Sequence, residues 1–467
     1  MKKFSKIGLL VLILFCAASL VFTGCNKGGD TSGKTVVKLG IYPEDTMTGE
    51  IEMHQRWIST FNQRWPDVVI QPAQYRYATD TFMSLAQSNQ IPTIFETWFT
   101  EPQKLITGGY VKDITAEVRA MGWDTKMNQS ILNLLSKDGR IYGIPRDGYA
   151  LGLMLNVDLF RKAGLVDRNG IPQYPKTWDE LATVAKTIKD KTGAAGLCLL
   201  AKDNAGGWHF SNIAWCFGAV FMTQDGQGKW TANLNSQAAV NALQYVKDLK
   251  WVHNVLTPDP TNEDWGTGFQ QLGTGGAAMY IAAQDAVSQP TRWAAQLPTA
   301  DLALVPIPAG PGGQYSLMGG TPYMFAANAT SEEVTAALHY LEIMGRVPEV
   351  NPDVIAGLRA DAQQRKADGV PVIADFPAWT DPDYQKAKDD ALAAFANTDP
   401  RLYADYFSVI TKGTNLKPEE PMQAQDLYAE LTKCLQAVIT DRNANPRALL
   451  DTAQTNFQRL LDQTVNR

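Results

Sequence analysis

The chain is short of the residues that most often carry catalysis or hold metals. Only His54, His209, His253 and His339 are histidine among 467 residues, and no HxH, HxxxH or HxxEH spacing links them. That scatter speaks against a dedicated zinc site, and neither metal nor cofactor is expected. The five cysteines form no CxxC pair. Cys198, Cys216 and Cys434 are expected as buried thiols, with one disulfide among them as the alternative. Gly-x-Ser-x-Gly, phosphate-loop and dinucleotide-binding fingerprints are missing. Basic clusters are missing too: 42 Lys and Arg against 48 Asp and Glu give a net charge of −6. This balance argues against nucleic acid as a partner.

The charge-free run Ile7 to Phe22 is 16 residues long, below the roughly 18 that would span a membrane. With Lys2, Lys3 and Lys6 before it and Thr23-Gly24-Cys25 after it, it reads as a secretory leader over residues 1–24. Phe22-Thr23-Gly24-Cys25 resembles the lipobox of bacterial lipoproteins, with Phe where Leu is usual, and the resemblance implies lipidation of Cys25. Residues 25–34 are polar and glycine-rich and read as a flexible tether. The expected location is outside the cytoplasm, lipid-anchored at the outer face of the cytoplasmic membrane or in the periplasm. Cleavage after residue 24 leaves 443 residues, enough for two or three domains. The leader holds three lysines and no acid, so the mature charge is −9. A hydrophobic fraction of 45% and a charged fraction of 19% are those of a globular body.

That body opens on Thr35 to Tyr42, an alternating β-type run, followed by a helical stretch from about Gly49 to Trp65 and a strand at Val68. A short helix at Thr79 to Ser88 and a strand at Pro92 to Phe95 continue the alternation, which predicts an α/β domain with a largely parallel sheet. Thr177-Trp178-Asp179-Glu180 reads as a capping box launching a helix to about Lys191. Ser236 caps another helix. Strands are expected at Ala277 to Ala282 and Leu302 to Ile307, and the chain after Ser331 reads as almost wholly helical.

Five stretches in order carry a family resemblance. They are Phe61-Asn62-Gln63-Arg64-Trp65-Pro66-Asp67-Val68; Gln90 to Glu96, with Thr93 where Asp is frequent; Asp138 to Pro145 continuing to Leu155 to Leu165; Pro175 to Leu181; and Gly319-Gly320 with a helix near Ser331. Together they resemble the sugar-binding class of extracellular solute-binding proteins that serve ATP-binding-cassette importers, the maltodextrin-binding-like group. The resemblance implies a type II-like periplasmic-binding-protein fold of two discontinuous α/β lobes joined by a hinge. Residues 35–146 and 280–328 would form the N-lobe, and 147–279 and 329–467 the C-lobe. Crossings would fall near Pro145 to Ala150, Ala277 to Ala283 and Ala326 to Ser331. It further implies a monomer, a small carbohydrate as ligand and the importer's permease subunits as partner.

Sugars are held by aromatic faces over their C–H side and by carboxylates, amides and Arg at their hydroxyls. Groups of that kind just past strands mark a candidate site. They are Tyr42, Glu44 and Asp45; Glu96 and Trp98; Arg146, Asp147 and Tyr149; Trp208, His209 and Asn212 in an expected loop from Asn204; Gln284 and Asp285; and Gly319, Gly320, Thr321 and Tyr323. Each has a plainer alternative. Trp98, Trp208 and Tyr149 would also suit a lobe core, Glu44 and Asp45 a helix cap, Arg146-Asp147 a mutual ion pair, and Gly319-Gly320 a simple turn. Trp57, Trp65, Trp178, Trp215 and Trp251 lie in helical patterns and read as core. Three function classes remain: a non-catalytic sugar-binding protein, an exported glycoside hydrolase or lyase using Glu96 with Asp147 as its carboxylate pair, and a surface lipoprotein with an adhesive or structural role, which would lack a deep pocket.

Overall fold

The computed structural model describes residues 33–45 and 47–466. The leader, Cys25 and nearly all of the tether lie outside them. The first sheet has the order Val68–Pro72, Thr35–Leu39, Ile94–Glu96, Pro322–Phe325, Gly143–Pro145. Its first three strands run parallel, and Pro322–Phe325 is antiparallel to both its neighbours. The second sheet has the order Leu302–Pro306, Gly152–Asn156, Ala277–Ala282, Ala195–Cys198, with only the last pair parallel. All four of its strands are buried along their whole length, as expected of a sheet covered by helices on both faces. The expected parallel sheets are therefore mixed. Each sheet takes in strands re-entering from the hinge, and these run against the βαβ strands.

A third, small sheet joins Leu416–Pro418, Ser316–Gly319 and Tyr149–Ala150 between the two lobes. Its position corrects the expected lobe boundaries. Leu302–Pro306, placed with 280–328 in the N-lobe, pairs with Gly152–Asn156 because a wholly apolar strand needs cover on both faces. Helix Ser331–Ile343, placed in the C-lobe, lays Val334, Leu338 and Leu341 into one cluster with Val37, Leu39 and Phe61 of the N-lobe. The expected crossings at 277–283 and 326–331 therefore stay inside one lobe each. The chain passes between lobes at 146–151, at 307–321, and between helices Pro382–Ala393 and Ala404–Lys412.

Local rules hold in the helices. The Thr177 hydroxyl accepts from Glu180 N at 3.2 Å, and Glu180 reaches back to Lys176 N at 2.7 Å. Ser236 accepts from Ala239 N at 3.3 Å. Cys198, Cys216 and Cys434 are buried free thiols.

The segment from Asn204 departs most from expectation. Asn204 to Gly207, expected in a loop, opens the helix Asp203–Cys216, and that helix packs along Ala424–Thr440. Gly207 makes the approach possible: a Cβ there would collide with the Tyr428 carbonyl, and its amide donates to Thr432 Oγ1 at 2.7 Å. Gly207→Ala should therefore lower unfolding free energy by about 2–3 kcal/mol through overpacking. Equilibrium denaturation with no loss of stability would refute this close helix contact.

Candidate functional site

Between the lobes lies a cavity of about 390 Å³. The N-lobe supplies Trp98 and Thr100, just past strand Ile94–Glu96, together with Arg146 and Asp147, just past Gly143–Pro145. The C-lobe supplies Asn204, Ala205, Trp208 and Trp265, and the tail helix supplies Gln425 and Tyr428. Tyr149, Asp285, Gly320, Thr321 and Glu419 line the hinge side. A larger groove of about 840 Å³ on the C-lobe is lined by Asp158, Lys162, Lys191 and Asp301 but by no aromatic residue. Only the first space draws on both lobes and on flat side chains.

Its floor is set by one guanidinium. Arg146 Nη1 donates to Glu96 Oε2 at 2.8 Å, Nε to Asp147 Oδ2 at 2.7 Å and Nη2 to Thr321 Oγ1 at 3.3 Å. Asp147 Oδ1 accepts from Thr321 N at 3.0 Å, and Arg146 N donates to Thr321 O at 2.9 Å. Burial works against the charge of Arg146, but Asp147 and Glu96 outweigh it and raise its pKa above the usual arginine value. A Cβ at Gly320 would sit 2.7 Å from the Asp147 carbonyl oxygen, so this crossing needs glycine.

The aromatic wall is a chain of edge contacts. Tyr149 meets Trp208 at 6.3 Å between ring centroids, and Trp208 meets Trp265 at 5.7 Å. From the N-lobe, Trp98 rests edge-on against Tyr77 at 5.6 Å and remains 45% exposed. Glu419, 7% exposed, accepts from the Tyr428 hydroxyl at 2.9 Å. Burial pushes its pKa up to about 7. Asp285 is exposed at the cleft, and partial desolvation by its neighbours, with the charge of Asp147 next, pushes it up to about 7 as well. Among the described residues no group of three or more His, Cys, Asp or Glu is placed to hold a metal ion.

Eight of the seventeen sequence candidates line this cavity: Trp98, Arg146, Asp147, Tyr149, Trp208, Asp285, Gly320 and Thr321. The other nine do not. Glu96 stands behind Arg146 as its ion partner. Tyr42 packs edge-on against His54 at 5.3 Å, Glu44 pairs with Arg76 at 3.2 Å, and Asp45 accepts from Gln74 at 2.6 Å. His209 is fully buried, stacked behind Trp208 at 5.0 Å, and burial lowers its pKa to about 3, so it is neutral. Asn212, also fully buried, donates to Tyr315 O at 2.6 Å and accepts from Leu317 N at 2.9 Å, bracing the hinge sheet. Gln284 bridges Gly148 O at 3.1 Å and the Tyr406 hydroxyl at 2.6 Å. Tyr323 is sheet core, and Gly319 lies directly under the Tyr149 ring. Sequence reading missed Thr100, Trp265, Glu419, Gln425 and Tyr428 as wall residues. Pro418-Glu419-Glu420-Pro421, adjacent acids framed by prolines after a short β-type run, was the signal available for Glu419.

The family model described as bacterial extracellular solute-binding protein matches residues 55–343, well over half of the chain. A Brucella abortus (strain 2308) protein described as a binding protein is 30% identical over 240 residues, 50% of this chain and 52% of that one. An arabinooligosaccharide-binding protein of Bacillus subtilis (strain 168) is 24% identical over 257 residues, 52% of this chain and 54% of that protein. The chain thus spans about half the length of the relatives it matches in sequence. Solved structures align over nearly all of it. The cyclic alpha-maltosyl-1,6-maltose binding protein of Arthrobacter globiformis covers 92% of this chain and 99% of its own, at TM-score 0.64 and 21% identity. UgpB of Mycobacterium tuberculosis, solved with glycerophosphocholine, covers 93% and 99%, at TM-score 0.66 and 17% identity. These likenesses establish the two-lobed fold, and on the family match the chain belongs to the bacterial extracellular solute-binding proteins.

Proposed function

We propose that the chain captures a mono- or oligosaccharide by closing its lobes around it and delivers it to the permease of an ATP-binding-cassette importer, tethered outside the membrane by lipid on Cys25. The observation that carries this reading is the interlobe cavity, which Trp98 lines from one lobe and Trp208 and Trp265 from the other, together with carboxylates and amides. Stacked rings and hydroxyl-satisfying side chains are what a polyhydroxylated solute needs. About 390 Å³ falls in the ~300–1,000 Å³ span of small-molecule pockets. Relatives named for arabinooligosaccharide and lactose binding support sugar as the class. Among the described residues no helix is long and apolar enough to cross a membrane.

Bond cleavage is the rival reading. Glu96 and Asp147 both direct oxygens at Arg146 instead of facing each other across an open gap. Glu419, however, carries the raised pKa that acid catalysis uses. Thermal-shift screening of mono-, di- and oligosaccharides, with the same mixtures assayed for product, separates the two. A saturable rise in melting temperature without product supports capture, and product formation overturns it.

Trp98→Ala should weaken sugar binding at least tenfold while leaving the unliganded melting temperature within about 1 °C, because this half-exposed ring contributes little to packing. A matching loss of unliganded stability would reassign Trp98 to the core. Glu419 also makes stability depend on pH. Between the ordinary glutamate value of 4.5 and about 7, the folded protein keeps a proton that the unfolded chain has given up. Stability therefore falls as pH rises through that window. Glu419→Gln removes a cost of about 3 kcal/mol at pH 8. The variant should melt several degrees above the parent at pH 8 and alongside it near pH 4.5. A difference independent of pH would show that the Glu419 carboxyl is not enclosed.

A further inference from the structure

The charges around the cavity do not balance. Four charged side chains face it: Arg146, Asp147, Asp285 and Glu419. Arg146 is already committed, to Glu96 at 2.8 Å and Asp147 at 2.7 Å, and no lysine or second arginine lines the wall. Among the described residues, Asp285 and Glu419 form no ion pair; Glu419 is buried while Asp285 keeps contact with solvent, and their raised pKa values agree with carboxyls that lack a counter-charge. The sequence holds no shortage of cations, with 42 Lys and Arg, yet none is placed beside these two. A closed cleft would exclude water from both carboxylates, and an uncompensated enclosed charge is costly. A neutral sugar can donate hydroxyls to them but cannot cancel their charge. The rings of Trp98, Trp208 and Trp265 complete the pattern, since aromatic faces attract cations.

We infer that the solute carries a protonated amine seated between Asp285, Glu419 and the tryptophan faces, and that its class is an amino sugar. This rests on the sugar-capture reading and narrows it. Phosphorylated and carboxylated sugars are excluded as preferred ligands, because the one guanidinium at the site has no free fork to offer them.

The test is calorimetric titration of the full mature chain at pH 7 with matched pairs: glucosamine and glucose, galactosamine and galactose, and the β-1,4 glucosamine disaccharide and cellobiose. N-acetylated counterparts serve as uncharged controls. In at least one pair the amine should bind tenfold or more tightly than its neutral and acetylated partners. Asp285→Asn or Glu419→Gln, in protein that still unfolds cooperatively, should bring that ratio down towards one. A second measurement needs no variant: raising salt from about 0.05 to 0.5 M should weaken amine binding several-fold and leave neutral-sugar binding nearly unchanged. Neutral sugars binding as well as or better than their amines would overturn the inference and leave sugar capture standing. Binding of no member of any pair would overturn both.

Discussion

The Arg146 guanidinium is the contact on which the architecture of the cleft depends. It sits where three strand ends of the N-lobe sheet meet the hinge and ties Glu96, Asp147 and Thr321 to one another. Fixing Thr321 fixes the Gly319-Gly320 crossing, and the hinge sheet hangs from that crossing through the pairing of Ser316–Gly319 with Tyr149–Ala150. Tyr149, held over Gly319, then begins the aromatic wall that continues through Trp208 to Trp265. A partly enclosed arginine with two carboxylates is a better brace than an exposed pair, because its geometry is fixed and water screens it less. The same contact determines the electrostatics of the cavity. By holding Glu96 and Asp147, Arg146 uses up the one positive charge that lines the site among the described residues.

What could be read from the sequence follows from how local each feature is. The capping residues Thr177 and Ser236, the strand Ala277–Ala282 and the buried thiols depend on neighbours a few residues away or on simple apolarity, and the structure has them where they were expected. Trp98, Arg146 and Tyr149 could be found because a strand followed by polar and aromatic residues is itself a local pattern. Gln425 and Tyr428 could not, because they reach the cavity only through helix packing across more than 200 residues of sequence, and Glu419 is brought there by the pairing of Leu416–Pro418 with Ser316–Gly319, about 100 residues away. The glycines that permit that packing misled in a specific way. Gly206-Gly207 looks like a loop by propensity, whereas in the structure it is a helix surface stripped of side chains so that Tyr428 can lie against it. His209 and Asn212 were misplaced for the same reason: once the segment is helical, they turn away from the cavity into the interior, His209 stacking behind Trp208.

The lobe boundaries failed for a topological reason. Leu302–Pro306 and Ser331–Ile343 are apolar enough for either lobe, and only the free edge of Gly152–Asn156 and the exposed flank of Thr35–Leu39 decide between them. Neither edge can be read one segment at a time. The result is a chain that crosses the hinge three times, so each lobe is closed by segments that arrive from the other.

Such a hinge makes closure a question of differential contact: a solute shifts the lobes only as far as it binds the closed arrangement better than the open one. In this cleft the unliganded protein bears a cost, two carboxyls whose ionisation is opposed by their surroundings. That cost grows as the lobes approach and water leaves, so closing on nothing is penalised more than remaining open. A guest that satisfies those groups removes the penalty only in the closed form. Acids lining the cleft therefore weigh on the opening equilibrium as well as on recognition.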